Sequence, residues 1–218
     1  MSRHWSGADD PKKMVRAGYE RAAAEYDAWS AGFDASPRRR YVSVLTEALT
    51  PGATVLEVGC GTGLATRELQ SRYFVVGVDF SSACLALARQ SAPRARYVQA
   101  DMTRLGIRSR SVDAIIAFYS LIHVPREEQS AVLQQVATWL RPGGLLIATM
   151  GTHDLPVDYD ENWRGVEMYW SSYDAATNVG IVRDAGLQVL RADEVAQEED
   201  GKVVRFLWVV ARLGKQVL

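Results

Sequence analysis

A chain of 218 residues, 48% hydrophobic and 23% charged, is long enough for one domain with a substantial core and too short for two comfortable ones. Its formal net charge of -1 offers no overall field for polyanions, so nucleic-acid binding would need a local basic patch. The tightest such cluster, Arg38-Arg39-Arg40, sits on a helical pattern and reads as a solvated helix face. Cys60 and Cys84 have neither metal-ligand spacing nor the makings of a disulfide framework. Residues 1–13 are polar, with Gly7 and Pro11 interrupting them, and no apolar run reaches the length of a membrane span. These features lead us to expect a cytoplasmic protein.

In chain order, Val15, Tyr19, Ala22, Tyr26 and Trp29 recur at steps of three and four and predict a helix. Pro37 opens a second, with Tyr41, Val44, Leu45 and Ala48 on one face and Pro51-Gly52 beyond its end. The chain then alternates. Strands are predicted over 54–58, 73–78, 96–100, 112–118 and 145–150, with helices over 64–71, 82–90 and 127–140. Pro142-Gly143-Gly144 is read as the break before the last of these strands. This rhythm predicts βαβ units, hence a mainly parallel sheet covered on both faces. The tail reads differently: strands over 187–195 and 203–211 around Asp200-Gly201 predict an antiparallel hairpin at the sheet edge. The stretch 151–173 has Trp163, Tyr169 and Trp170 but little periodicity.

The first strand runs into a glycine turn, "VLEVGCGTGL". Gly59, Gly61 and Gly63 suit positive φ and close approach of a ligand at a helix N-terminus. Leu64 stands where a dinucleotide fingerprint needs glycine, and no Gly-Lys-Ser/Thr follows for a P-loop. A nicotinamide oxidoreductase is therefore disfavoured. Three carboxylates lie beside the turn: Glu57 within the strand, Asp79 ending "VVGVDFS" and Asp101 ending "YVQADM". Strand ends are where open α/β sheets bind ligands, and a carboxylate there can accept both hydroxyls of a ribose. So much negative charge is unsuited to a pyrophosphate. It suits a cationic ligand without phosphate, and S-adenosylmethionine, with its sulfonium and α-ammonium, fits that description.

Here the sequence resembles the class I S-adenosylmethionine-dependent methyltransferases of small-molecule type. "VLEVGCGTG", "VVGVDFS", "VQADM", "SVDAIIAFYSLIHV" and "WLRPGGLLI" are similar to that family's motifs, in order, over residues 37–150. The resemblance implies an α/β fold: a doubly wound, Rossmann-like, mainly parallel seven-stranded sheet with the C-terminal antiparallel hairpin. It implies a single methyltransferase domain over 1–218, divided into an N-terminal lid helix (1–36), a cofactor-binding core (37–150), a lid insertion (151–173), and a final helix with the closing hairpin (174–218). It implies S-adenosylmethionine as cofactor and S-adenosylhomocysteine as product. The methionine moiety would lie at Gly59 and Gly61, with Phe118 lining that side. Ribose would lie on Asp79, with Phe80 beside the adenine, Asp101 on its amino group and Met102 against its ring. Tyr26, on the lid helix, would reach the cofactor carboxylate.

Methyl transfer from a sulfonium needs mainly the positioning of a nucleophile behind the methyl group. A hydroxyl or ammonium acceptor must also lose a proton, whereas a carboxylate or thiolate need not. His123, just past the fourth strand, is the candidate base or acceptor contact, with Tyr19 and Tyr119 as further acceptor contacts; His4 and His153 are poorer candidates. The tip of that strand, Ala117 to Ser120, lacks the Asn/Asp-Pro-Pro-Tyr signature of adenine and glutamine methyltransferases and offers no magnesium ligand, so no metal is expected. Trp29, Trp163, Tyr169 and Trp170 would roof the acceptor, and Arg164 could pair with an anionic group on it. The expected acceptor is a small molecule, with O-transfer preferred. Transfer to tRNA or protein, supported only by the arginine cluster, and a non-catalytic cofactor-binding subunit remain as alternatives. Membrane association is not expected, and oligomeric state stays open.

Overall fold

Period-two alternation along the first strand sets the layers. In the computed structural model, which describes residues 10–32 and 37–215, β1 (Thr54–Val58) turns Leu56 and Val58 toward one core cluster and Val55 toward the other. The N-terminal stripe forms α1 (Pro11–Ala31), capped by the Asp10 carboxylate on the Lys12 N–H. Of that segment, His4 and Phe33 lie outside the described residues. Then come α2 (Arg38–Ala48), β1, α3 (Leu64–Leu69), β2 (Phe74–Asp79), α4 (Ser82–Ser91), β3 (Arg96–Gln99), β4 (Val112–Ala117) and α5 (Arg126–Trp139). The chain continues through β5 (Leu140–Met150), β6 (Leu155–Trp163), β7 (Val166–Ser172), α6 (Ala175–Asp184), β8 (Leu187–Glu199) and β9 (Lys202–Leu213).

Seven strands form one sheet in the order β3-β2-β1-β4-β5-β9-β8. The first five are parallel, while β9 is antiparallel to both β5 and β8. Helices α5 and α6 pack on the face bearing Leu56 and Ile115, and α2 and α3 on the face bearing Val55 and Ile116. The sheet is therefore doubly wound, as the alternation of elements predicts. Strand order reverses between β1 and β4, which opens a crevice at their carboxyl ends.

Two expectations need correction. Pro142-Gly143-Gly144 lies inside β5, which starts at Leu140 and meets β4 through a register shift at Val112/Ala114. The aperiodic stretch 151–173 contains a second, two-stranded sheet, the β6–β7 hairpin. Its two-residue turn is Arg164-Gly165, with φ of 49° and 77°, and the β8–β9 turn, Asp200-Gly201, has φ of 51° and 75°. Positive φ at both central positions is what a type I′ hairpin requires. The β6–β7 hairpin forms a third cluster with α1, in which Val15 and Ala22 meet Val166, Met168 and Tyr169. Among the described residues no helix is long and apolar enough to cross a membrane.

Trp208 on β9 is fully buried, stacks on Tyr41 of α2 at 4.4 Å, and meets Phe118 at 5.1 Å beyond β4. It joins the antiparallel extension to the sheet's cofactor end. Trp208→Ala should cost about 3–5 kcal/mol in urea unfolding, and a loss below about 1 kcal/mol would show that the two halves of the sheet are not packed as one unit.

Candidate active site

Asp79 ends β2 with both carboxylate oxygens engaged. Oδ2 accepts the Gly61 N–H at 2.8 Å and Oδ1 the Ser81 N–H at 2.9 Å. The loops after β1 and β2 are thus fastened to one carboxylate. Burial raises its pKa, against the lowering pull of its amide donors. Gly59 has φ +70°, and a Cβ there would come within 2.2 Å of the Ser120 Cβ, so this glycine admits the β4 loop. At Gly61, φ +52°, a Cβ would sit 3.5 Å from the Tyr26 ring, which lies against the turn.

A narrow cleft follows this turn. Gly59, Gly61, Asp79, Phe80, Asp101 and Met102 line it, as do Phe118, Tyr26, Tyr19 and His123. The cleft thus gathers the expected cofactor contacts together with Tyr19 and His123, while Gly63, Arg164 and Tyr169 do not line it and neither does one expected cofactor contact, Glu57. Strand parity removes that one: Glu57 shares a face with Val55 and points at α3, where it accepts a hydrogen bond from the Thr66 hydroxyl. It braces the start of α3 behind the glycine turn. Desolvation in that position pushes its carboxyl up to about 8, opposed by the Thr66 bond and the charge of Arg38.

Asp101 gives Oδ1 to the Thr103 N–H and hydroxyl, both at 2.8 Å, and its Oδ2 lies 3.9 Å from Lys12. Lys12 also lines the cleft. Glu20, likewise unsuspected from sequence, accepts from the N–H groups of Ser82 (2.8 Å) and Ala83 (2.7 Å) and the hydroxyls of Ser81 and Ser82. Desolvation opposes its ionisation, yet these bonds hold its pKa below the usual value. They pin α1 over the cleft at the N-terminus of α4, where a carboxylate is favoured.

Beyond the cleft lies a larger cavity of about 970 Å³, which shares Tyr19, Tyr26, Tyr119 and His123 with it. Trp29, Trp163, Trp170 and Tyr159 give this cavity aromatic walls. Arg164 is already spent: it pairs with Asp200 at 2.7 Å and lies over Trp29 at 4.1 Å, so it is not the free cation that the sequence suggested. Of Arg38-Arg39-Arg40, the last two are exposed, as a solvated face requires, but the first is not. Arg38 is only 7% exposed, at i−3 and i−7 from the buried Tyr41 and Leu45. That helical spacing was the available signal for its inward side chain.

His123 follows β4 on a single 3-10 turn, Leu121–His123. Nδ1 is 2.9 Å from the carbonyl oxygen of Tyr169 on β7, and Nε2 is 3.0 Å from the Tyr19 hydroxyl. A carbonyl only accepts, so Nδ1 carries the proton and Nε2 accepts from Tyr19. Burial lowers the pKa of His123 to about 4, partly offset by the Tyr169 carbonyl, so the ring is neutral at physiological pH. Burial also raises the Tyr19 phenol, which keeps it a donor. Tyr119 adopts φ +54°, a strained backbone for a bulky residue, and donates its N–H to the Thr149 hydroxyl. Asp113 is held at the far end of β4 by the Thr54 N–H (2.8 Å) and Arg141. No group of acidic, His or Cys side chains suited to a metal occurs among the described residues.

Known proteins resemble this chain in sequence and in fold. Residues 55–144 match the family model described as "Methyltransferase domain". A trans-aconitate 2-methyltransferase of an Azoarcus species is 37% identical over 116 residues, 52% of this chain and 43% of that protein. A malonyl-[acyl-carrier protein] O-methyltransferase of Dechloromonas aromatica is 28% identical over 212 residues, 91% of this chain and 76% of that protein. The crystal structure of magnesium protoporphyrin IX methyltransferase from Synechocystis superposes with a TM-score of 0.74 at 20% identity, covering 96% of this chain and 100% of that one. The chain spans less than half the length of the first curated relatives it matches. Residues 55–144 are thus similar to a methyltransferase domain, and the fold is shared with S-adenosylmethionine-dependent methyltransferases of known structure, which together support a class I S-adenosylmethionine-dependent methyltransferase.

Glu57 and His123, both buried, have opposite consequences for stability. Glu57 moves from 4.5 to about 8, so the stability it lends is complete below 4.5 and lost as pH rises through about 8. His123 moves from 6.5 down to about 4, so its share is present above 6.5 and lost as pH falls. They oppose each other at acidic pH, whereas from 6.5 to 8 the Glu57 effect stands unopposed by His123. Ligand-free stability should fall over that window, and Glu57→Gln should remove up to about 1.4 kcal/mol per pH unit of the slope. An unaltered slope in the glutamine variant, measured by urea unfolding at several pH values, would assign it to other groups.

Proposed function

We propose that this protein transfers the methyl group of S-adenosylmethionine to a small-molecule acceptor held in the 970 Å³ cavity. The observation that carries the reading is that the two spaces adjoin and share lining residues. A cleft built on the Asp79-fastened glycine turn meets an aromatic cavity at Tyr19, Tyr26, Tyr119 and His123. Asp79 would accept the ribose hydroxyls, Phe80 and Met102 would flank the adenine, and Asp101 would accept from its amino group through the oxygen that Thr103 leaves free. Gly59, Gly61, Phe118 and Tyr26 would enclose the methionine end, with Glu57 supporting the turn from behind.

When bound, S-adenosylmethionine would supply a methyl group whose bond to sulfur breaks as its bond to the acceptor forms, with S-adenosylhomocysteine as the leaving group. An acceptor proton would pass to the Tyr19 oxygen while Tyr19 gives its own to Nε2 of His123. Because His123 is so weak a base, we read the pair mainly as a device that orients the acceptor. A carboxylate acceptor needs no base at all. Relatives named for trans-aconitate and a malonyl group keep oxygen our preferred acceptor atom. We regard the chain as one catalytic unit with α1 and the β6–β7 hairpin as its roof, acting in the cytoplasm, where the free buried thiols Cys60 and Cys84 fit a reducing environment.

Methyl-labelled S-adenosylmethionine, incubated with the protein and a cell extract that is then separated by size, should label the small-molecule fraction. Label confined to RNA or protein would overturn the choice of acceptor class. Asp79→Ala should weaken S-adenosylhomocysteine binding by about 1–3 kcal/mol in calorimetry, and unchanged affinity would sink the ribose assignment. His123→Ala should lower kcat by about 10²-fold with cofactor affinity nearly unchanged. The wild-type kcat should show no inflection near pH 6.5, since the ring stays neutral down to about 4.

A further inference from the structure

Gln129 stands on the apolar stripe of α5. It precedes Val132, Leu133 and Val136 at helical spacing, and like them it is buried, only 2% exposed. An amide in such a place is costly unless it is hydrogen-bonded. Its Nε2 lies 3.0 Å from the carbonyl oxygens of Leu121 and Val124 and 3.2 Å from that of Ser171. Carbonyls only accept, so the amide nitrogen is the group turned toward them, with one of its two N–H bonds shared.

These carbonyls belong to the two segments that fix His123. Leu121 and Val124 bracket it on the 3-10 turn and at its exit. Ser171 lies on β7, two residues beyond Tyr169, whose carbonyl oxygen is 2.9 Å from Nδ1 of His123. Carbonyls two apart leave a strand on the same side, and among the described residues β7 has β6 as its one strand partner. Buried carbonyls on an open strand edge need donors from elsewhere. Two side chains supply them here: His123 serves Tyr169, and Gln129 serves Ser171. The Ser171 hydroxyl completes the joint by donating to the Val124 carbonyl at 3.0 Å.

We infer that Gln129 is a positioning residue: it holds the turn 121–124 and the edge of β7 at one spacing, and so keeps the Tyr169 carbonyl on Nδ1 of His123. The tautomer whose Nε2 accepts from Tyr19 then follows. The bearing of Gln129 on methyl transfer rests on the function proposed above; its bearing on the histidine does not. A polar residue on an apolar stripe thereby has a reason that packing alone would not give.

Gln129→Met keeps an unbranched chain and removes the donor. The readout is the nitrogen resonances of the histidine rings in isotopically labelled full-length protein. The chain has three histidines, and His123→Gln identifies the signals of His123 by their loss. The wild type should show the proton on Nδ1 and an unprotonated Nε2. In Gln129→Met the two resonances should move toward each other as the second tautomer is populated. Gln129→Asn withdraws the amide by one methylene and should move them the same way, so the test stands should the methionine variant not fold. Val132→Ala, which cuts into the same stripe without touching the carbonyls, should keep the wild-type pattern. A wild-type pattern in a folded Gln129 variant overturns the inference and leaves Gln129 as a brace between α5 and the hairpin; so does an equal shift in Val132→Ala. S-adenosylhomocysteine affinity should be nearly unchanged in the Gln129 variants, since Gln129 does not line the cleft, and a large loss there would count against so local a role. Failure of the wild type to bind S-adenosylhomocysteine would instead overturn the proposed function, while the histidine resonances would still decide the role of Gln129.

Discussion

The cofactor end of this molecule depends on the Asp79 carboxylate. It holds the N–H groups of Gly61 and Ser81, which belong to loops leaving two different strands, and so fixes the spacing of those loops. In a low-dielectric site a carboxylate is strongly disfavoured unless donors surround it, and two amides offset only part of that penalty. Further donors would complete its shell. The ligand-free state therefore keeps a carboxylate that is positioned for structural reasons and still short of hydrogen bonds, so it can fasten the loops and attract a vicinal diol together.

The lid hangs from the same loop. Glu20 on α1 binds Ser81, Ser82 and Ala83, immediately after the Asp79 strand, so the helix carrying Tyr19 and Tyr26 is referenced to the residues that would hold the ribose. Hydrophobic contact with the β6–β7 hairpin supplies the second attachment of α1. A displacement of the hairpin would therefore be transmitted through α1 to the cleft.

The central sheet was legible because its strands are short apolar runs closed by turn residues, and because the chemistry-bearing carboxylates Asp79 and Asp101 stand where those runs end. Where reading failed, the reasons are local. β6 is largely exposed and carries Asp158, Asp160 and Glu161, so no apolar alternation marks it, and its turn uses a left-handed arginine, Arg164, in a position usually marked by Asn, Asp or Gly. Proximity in sequence to the glycines points Glu57 at the ligand, whereas the parity of β1 sends its side chain to the face of Val55. The charged run suggests solvation for Arg38, whereas its spacing to Tyr41 and Leu45 places it on the buried side of α2. In both cases periodicity carried the answer and residue type obscured it. Lys12 and Glu20 left no such trace, because their partners, Glu128 and Ser82, are more than sixty residues away.

The hydrogen-bond chain through His123 joins the roof to the chemistry. The carbonyl of Tyr169, in the middle of β7, dictates the Nδ1–H tautomer, and that tautomer alone leaves Nε2 free to accept from Tyr19. A hairpin seated elsewhere would remove the carbonyl and release the ring to the other tautomer, in which Nε2 donates to the Tyr19 oxygen and can no longer take its proton. The β6–β7 hairpin therefore helps to shape the larger cavity and also sets the direction of the Tyr19–His123 hydrogen bond at its boundary with the cleft. Variation in this hairpin could not alter the acceptor's enclosure without also disturbing the Tyr19–His123 pair, unless the backbone at Tyr169 stayed in place. Since a backbone carbonyl makes the contact, the side chains of β6 and β7 can change while the tautomer is preserved, and in such a fold acceptor specificity can diverge around a constant catalytic edge.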